Sequence, residues 1–555
     1  MFNLLDKRHS WRRSSEHSVL PIKSSDSASF FTGQRPYPKR YRRLTLALLT
    51  VSIFGLFYCL GSSNPTPGRL YDLLESAVLL DPLGNRLPPL YERWHEQESR
   101  LPQHDPDLPF PEGKHAKFFW VANHVTASGW GNSMQETLFD SHIAYAAKRS
   151  FVFVNYTWNT DGSDYTDYNG KLIPSRIPLS ALITGPTAGA PYPPGSDPEA
   201  PRAVSKEYFD RVCPHPKIIH SDEVLSQLPP DATASQILQG WVEKLDSIED
   251  RCVEVDSQSR QIFSIWTFGS RKVLDIWPTI KDSPILTGFG WSPLIHAAYE
   301  NNKHLFLSPP TFFHRIASAL SYPIHLLSSI FSPSSSRDDP YAEIPGLLAI
   351  HIRKGDFASH CDHLATWNSV FNGFNQFPSF PDKFTPPPNS EWGSTSEENR
   401  DIYMSHCFPS IEQIVDKIEV VRKAEIENAR KRRGVWLGAG RGGSGSHEKG
   451  VYGNHGMGEL KRIYVMTNAK PEWIEELREA LRERARREGW EGWEAIVSSR
   501  EVALNWEQKY VAQSVDMMVG QKAQVLIGNG FSSLTSNIVM LRMARDFPPE
   551  SIRFW

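Results

Sequence analysis

Three times along the chain a strand-like run of apolar residues gives way, at a glycine turn or a small-residue loop, to polar residues or a helix. The sharpest case is Leu347-Leu348-Ala349-Ile350-His351-Ile352-Arg353-Lys354-Gly355-Asp356. Side chains alternate faces along a strand, so His351 and Arg353 point one way while Ile350 and Ile352 point back into the core. Two polar donors then converge on one spot. In open α/β sheets ligands bind outside the carboxyl ends of the strands, and an arginine there suits phosphate because its planar fork gives two parallel hydrogen bonds. The competing reading is a strand end with a solvated arginine.

Near the end of the chain, Gln524-Val525-Leu526-Ile527-Gly528 reads as another buried strand, followed by Asn529-Gly530-Phe531-Ser532-Ser533 and a helical run over 534–544. Ser532 and Ser533 fall where the unpaired N–H groups of a new helix can hold an anion, with their hydroxyls as further donors. Alternatively, one serine is only an N-cap. The third case runs from a strand over 117–122 through Ser128-Gly129-Trp130-Gly131-Asn132-Ser133-Met134-Gln135-Glu136 into a helix, with the strand Phe151-Val152-Phe153-Val154 next. That is a βαβ unit. Gly129 and Gly131 would let backbone approach a ligand and present Asn132 at the helix start, unless they serve only a tight turn.

Composition narrows the class. At 555 residues the chain exceeds one ordinary domain, and a net charge of −3 argues against a nucleic-acid partner. Basic residues cluster before residue 44, among them Lys39, Arg40, Arg42 and Arg43, and stop where the uncharged, largely apolar stretch 44–60 begins. Such a stretch predicts one membrane-spanning helix with its basic flank cytosolic, and its modest length suits the thinner early secretory membranes. The expected order is a cytosolic tail over 1–43, a signal anchor over 44–61, a stem over 62–111, one domain over 112–331 and a second over 341–555. A flexible insertion is expected at about 432–458, where Gly438-Ala439-Gly440-Arg441-Gly442-Gly443 matches a dinucleotide motif but follows a helix and starts none. The loop over 184–201 reads as a surface excursion, and the aromatic, proline-rich stretch 367–388 as a loop packed by its own side chains.

Beyond the anchor remain Cys213, Cys252, Cys361 and Cys407. A lumenal body predicts two bridges, with neighbours in sequence as the favoured pairing of three. A metal site built from His360, Cys361, His363, His406 and Cys407 is the alternative, although the spacing matches no standard zinc pattern. The one Asp-x-Asp, Asp105-Pro106-Asp107, lies in the expected stem, so neither a metal nor another cofactor is expected in the body.

Taken together, Gly129-Trp130-Gly131-Asn132, His351-Ile352-Arg353, Arg462-Ile463-Tyr464-Val465-Met466-Thr467-Asn468, Ala512-Gln513-Ser514-Val515-Asp516 and Ser532-Ser533-Leu534-Thr535 with Arg542 resemble, in order, the GDP-fucose protein O-fucosyltransferase family. The resemblance runs over about 342–545 and departs at Asn468, where the family often has an acid. It implies an α/β fold of two Rossmann-like domains facing a cleft (GT-B type), in a Golgi or endoplasmic reticulum type II membrane protein. The implied reaction moves fucose from GDP-fucose to a hydroxyl, on protein Ser or Thr or on a glycan, with inversion. Arg353, Ser532 and Ser533 would hold the departing diphosphate, with Gly131 and Leu534 beside them. His351 would bind the nucleotide, and Asp516 and Asn468 the ribose or base. Asn132 would sit at the reacting centre. Glu136, one helical turn further on, is the candidate general base; its alternative is a solvated helix glutamate. The rival classes are a related GDP-sugar transferase and a non-catalytic lumenal binding protein that keeps the fold.

Overall fold

The computed structural model describes residues 86–308, 339–355, 357–388, 392–439 and 459–555, with side chains in the helix before 440 described as far as 431. The expected tail and anchor therefore lie outside the described residues, as do Asp356 and most of the expected insertion. Among the described residues no helix is long and apolar enough to cross a membrane.

Two parallel sheets organise the body. The first comprises β1 (Phe118–Val121), β2 (Ser150–Phe153), β3 (Val204–Ser205), β4 (Lys217–Ile219) and β5 (Cys252–Val255), in the order β3-β2-β1-β5-β4. The second comprises β6 (Ile344–Ile352), β7 (Arg462–Thr467), β8 (Ala495–Ser498), β9 (Ala523–Gly528) and β10 (Ile552–Phe554), in the order β8-β7-β6-β9-β10. All pairings within both sheets are parallel. Strands buried on both faces need near-continuous apolar runs, which β6 and β9 have. In the second sheet the chain starts at the centre, winds outward, then returns to the other side of β6. The strand order therefore reverses between β6 and β9, and such a switch point is where α/β sheets bind ligands.

The helices used below are α1 (Trp130–Ala146), α2 (Pro293–Phe306), α3 (Phe357–Thr366), α4 (Glu397–Cys407), α5 (Ile411–Ala439), α6 (Pro471–Glu488), α7 (Ala512–Lys522) and α8 (Ser533–Met543). β6 divides its side chains as alternation requires. Leu347 and Ala349 join an apolar cluster shared with α7 and α8, whereas Leu348, Ile350 and Ile352 join a second one against α5 and α6. The first cluster also takes in the first sheet, with Phe139, Trp291 and Phe374 in it, so the two sheets share a core instead of keeping one each.

The chain pairs Cys213 with Cys252 and Cys361 with Cys407, the neighbours in sequence. Two expectations need correction. The stem does not extend to 111, because the buried Tyr91 donates through its hydroxyl to Glu507 O at 2.7 Å and Gln103 Nε2 to Ala203 O at 2.6 Å. The packed body thus includes residues 91–104. The loop over 184–201 is only partly superficial: 185–189 is buried, with the Thr187 hydroxyl donating to Ser141 on α1 at 3.1 Å. The stretch 367–388 is packed by its own aromatics, Phe371 against Phe384 at 5.4 Å and Phe374 against Phe377 at 5.6 Å between ring centroids.

Candidate active site

β6 and β9 deliver the polar residues to one place. His351 is buried and its Nδ1 pairs with the Thr535 hydroxyl of α8 at 2.8 Å. Thr535 can come this close because Gly528, the last residue of β9, lacks a side chain; a Cβ there would lie 2.2 Å from Thr535 Cγ2. Burial, with the Arg353 guanidinium beside it, pushes His351 down to about 3, so the imidazole is neutral. A neutral ring gives a ligand a hydrogen bond but no charge. The charge belongs to Arg353, whose guanidinium lies 4.2 Å from the centre of the Phe357 ring at the start of α3. Stacking on an aromatic face leaves the edges of the fork for in-plane hydrogen bonds. His360, one turn along α3, is likewise lowered to about 4 by burial and then by Arg353.

α8 begins at the same place. Ser532 is its N-cap and accepts from Leu534 N–H at 3.2 Å, so the plain capping role holds for this serine. Leu534 N–H, expected to face an anion, is already engaged. Ser532, Ser533 and Leu534 are all half-buried. The stretch 367–388 braces the turn before them: Asn372 N–H and Asn375 Nδ2 donate to Gly530 O at 2.7 and 2.8 Å.

The start of α1 meets the start of α8. A Cβ on Gly131 would lie 2.7 Å from Ser533 Oγ and 2.8 Å from Leu534 N, and Asn537 Nδ2 donates to Gly131 O at 2.7 Å. Gly131 therefore serves a helix crossing and not a turn alone. Asn132, next to it, donates from Nδ2 to Ser128 Oγ at 3.0 Å.

Glu136 is not on a solvated face. It is 5% exposed, and its Oε2 accepts from Val125 N–H at 2.5 Å, holding the loop between β1 and α1. Burial pushes its carboxyl up to about 8, against that hydrogen bond, which lowers it. Asp140, a turn further on and also buried, is raised well above the usual range by burial and by Glu136.

Two candidates spend their side chains inside the second half. Asn468 Oδ1 accepts from Lys354 N–H at 2.8 Å, which fixes the turn carrying Arg353. Asp516 accepts from Tyr464 OH and, at 2.9 Å, from Ser499 Oγ, and burial pushes it up to about 6. Neither carboxylate oxygen of Asp516 is without a hydrogen bond from the protein. The structure thus brings Gly131 against Ser533 and Leu534, with Asn132 next to it in the chain, joins His351 to them through Thr535, and sets Arg353 beside His351. Sequence reasoning missed Thr535 and Asn537 as partners, and Asp140 and Lys354 altogether. The available signal was polar residues inside otherwise apolar, buried runs.

Among the described residues no group of three or more potential metal ligands gathers, and the cysteines weighed for a metal are tied in bridges.

The site is thus an Arg-His strand end and a serine-capped helix start at the switch point of a doubly wound parallel sheet, facing a second helix start from a companion sheet. No protein-family model matches the chain. No curated protein matches it. Among solved structures it is similar to POFUT1 in complex with GDP (13% identity, 79% of this chain and 98% of that chain, TM-score 0.37). It is also similar to POFUT1 in complex with GDP-fucose (13%, 79% and 97%, TM-score 0.37). A third similarity is to a mutant of Arabidopsis thaliana FUT1 in complex with GDP (9%, 82% and 73%, TM-score 0.29).

Proposed function

We propose that this protein is a glycosyltransferase that moves fucose from GDP-fucose to a hydroxyl, on a protein Ser or Thr, with inversion at the sugar carbon. The observation that carries the reading is the meeting of the His351–Arg353 strand end with the Ser532–Ser533 helix start at the switch point between β6 and β9. Breaking the glycosidic bond leaves growing negative charge on a diphosphate oxygen. A preplaced guanidinium gains attraction as that charge grows, and so lowers the barrier beyond what it gives to binding. Neutral His351 suits a hydrogen bond to the nucleotide, since it adds no second positive charge beside Arg353. On the other side, Asn132 orients the reacting groups. Glu136, whose raised carboxyl makes its ionised form a stronger base than an ordinary carboxylate, can in that form accept the acceptor's proton as the new bond forms.

No metal is required in this scheme, because Arg353 and the helix start supply the positive field. The anchor over 44–60 would hold the body in the lumen of the Golgi or endoplasmic reticulum, with the basic tail in the cytosol. The test uses the full-length chain in detergent with a panel of nucleotide sugars, reading release of the nucleoside diphosphate. GDP-fucose is expected to be hydrolysed fastest. Preference for another nucleotide sugar, or no hydrolysis of any, would overturn the reading.

A further inference from the structure

Lys354 is the neighbour of Arg353 in the turn just past the end of β6, and its side chain runs to Phe408 and to Trp473 on α6. It is 7% exposed, yet among the described residues no carboxylate pairs with it. Its Nζ donates to Pro409 O at 2.7 Å and lies 3.7 Å from the centre of the Phe408 ring and 5.2 Å from that of Trp473. An ammonium taken out of water without a counter-charge is costly, and burial alone pushes Lys354 down to about 8. The hydrogen bond to Pro409 O and the ring faces offset part of that cost, and they tie the turn to the segment that carries Pro409.

The segment it grips is a fixed post. Cys407 is bridged to Cys361 on α3, the helix that follows the Arg353 turn. Cys407 O accepts from Asn529 Nδ2 at 2.8 Å, and Asn529 begins the turn that leads to Ser532. His406 Nδ1 pairs with Trp555 O, whose indole in turn donates to His351 O at 2.8 Å. On the other flank, Asn468 Oδ1 takes the Lys354 N–H, and Arg500 grips the carbonyls of Asn468 and Ala469. The turn over 353–355 is therefore held from behind by one side chain and one amide, both of Lys354.

We propose that Lys354, seconded by Asn468, is a positioning residue that aims Arg353: the ammonium bound to Pro409 O fixes the turn so that the guanidinium lies on Phe357 and faces the diphosphate. The inference rests on reading Arg353 as the diphosphate ligand. A point charge on a flexible stem cannot be replaced by an apolar chain of the same length, whereas arginine can keep both the charge and a donor.

The test is a double-mutant cycle on GDP affinity, measured by calorimetry on the full-length protein, with thermal unfolding as the folding control. Arg353→Ala is expected to weaken GDP binding by on the order of tenfold or more, the worth of a charged hydrogen bond. Lys354→Met should weaken it by about tenfold in the wild-type background but by less than about twofold once Arg353 is gone, because the two act through one contact. Lys354→Arg should restore most of the affinity. Equal losses in both backgrounds, or no loss at all, would overturn the role of Lys354 while leaving Arg353 in place. Normal GDP affinity in Arg353→Ala would instead remove the reading on which the proposal rests. Should Lys354→Met not fold, Asn468→Ala runs through the same cycle, and additive losses there count against the proposal equally.

Discussion

The two helix starts that meet at Gly131 and Ser533 have opposite electrical characters. Around α8 and the end of β6 stands Arg353, with neutral imidazoles at His351 and His360. Behind the start of α1 stand Glu136 and Asp140, two buried carboxyls a turn apart, both raised by burial. The first side is suited to meeting negative charge and the second, once ionised, to taking up a proton. In the inverting transfer proposed above these would be the needs of the leaving group and of the incoming hydroxyl, with the reaction's two ends divided between the two halves.

The most severe way to break this division is to remove the positive side. Arg353→Ala should lower turnover by on the order of 10² to 10³, about 3 to 4 kcal/mol of barrier, by analogy with losing one oxyanion donor. Arg353→Lys should recover only part, because it lacks the fork. Steady-state kinetics with GDP-fucose decide this, and near-normal transfer by a folded Arg353→Ala protein would rule out the site.

Next in size is the seam itself. Gly131→Ala puts a methyl 2.7 Å from Ser533 Oγ and 2.8 Å from the Leu534 amide, where backbone must give way. Overpacking of this kind costs roughly 1 to 3 kcal/mol. A lowered Tm with weakened GDP binding is expected, and an unchanged Tm would mean that the helices do not cross there.

The acid side yields a subtler signature. Glu136 has a folded pKa of about 8 against an ordinary 4.5, so between those values the folded protein holds a proton that the unfolded chain has lost. Its contribution to stability therefore falls as pH rises through that window. Glu136→Gln should flatten the decline in Tm, and also cut turnover while leaving GDP affinity nearly unchanged. Turnover at the wild-type level would restrict Glu136 to holding the Val125 loop. Finally, exhaustive chelation should change the rate little, since in the proposed scheme Arg353 and the helix start supply the positive field; activity lost to chelator and restored by manganese would break the comparison altogether.

How much of this was legible in the sequence depended on the reach of each interaction. The alternation in β6 is local, so the common face of His351 and Arg353 could be read directly, as could the strand, glycine turn and serine-capped helix at 523–544. The purpose of Gly131 could not, because it depends on a helix some four hundred residues later. Glu136 looked like a surface acid because α1 has polar residues on every side; only the packing of both halves around that helix buries them. Asn468 and Asp516 sit at plausible places near the strand ends, but nothing in their spacing reveals that Lys354, Tyr464 and Ser499 already occupy their oxygens.

The contact between Gly131 and Ser533 also has a mechanical side. Backbone laid on backbone, with Asn537 fastened to the Gly131 carbonyl, forms a clasp. The two sheets cannot draw apart there without exposing a buried amide and carbonyl.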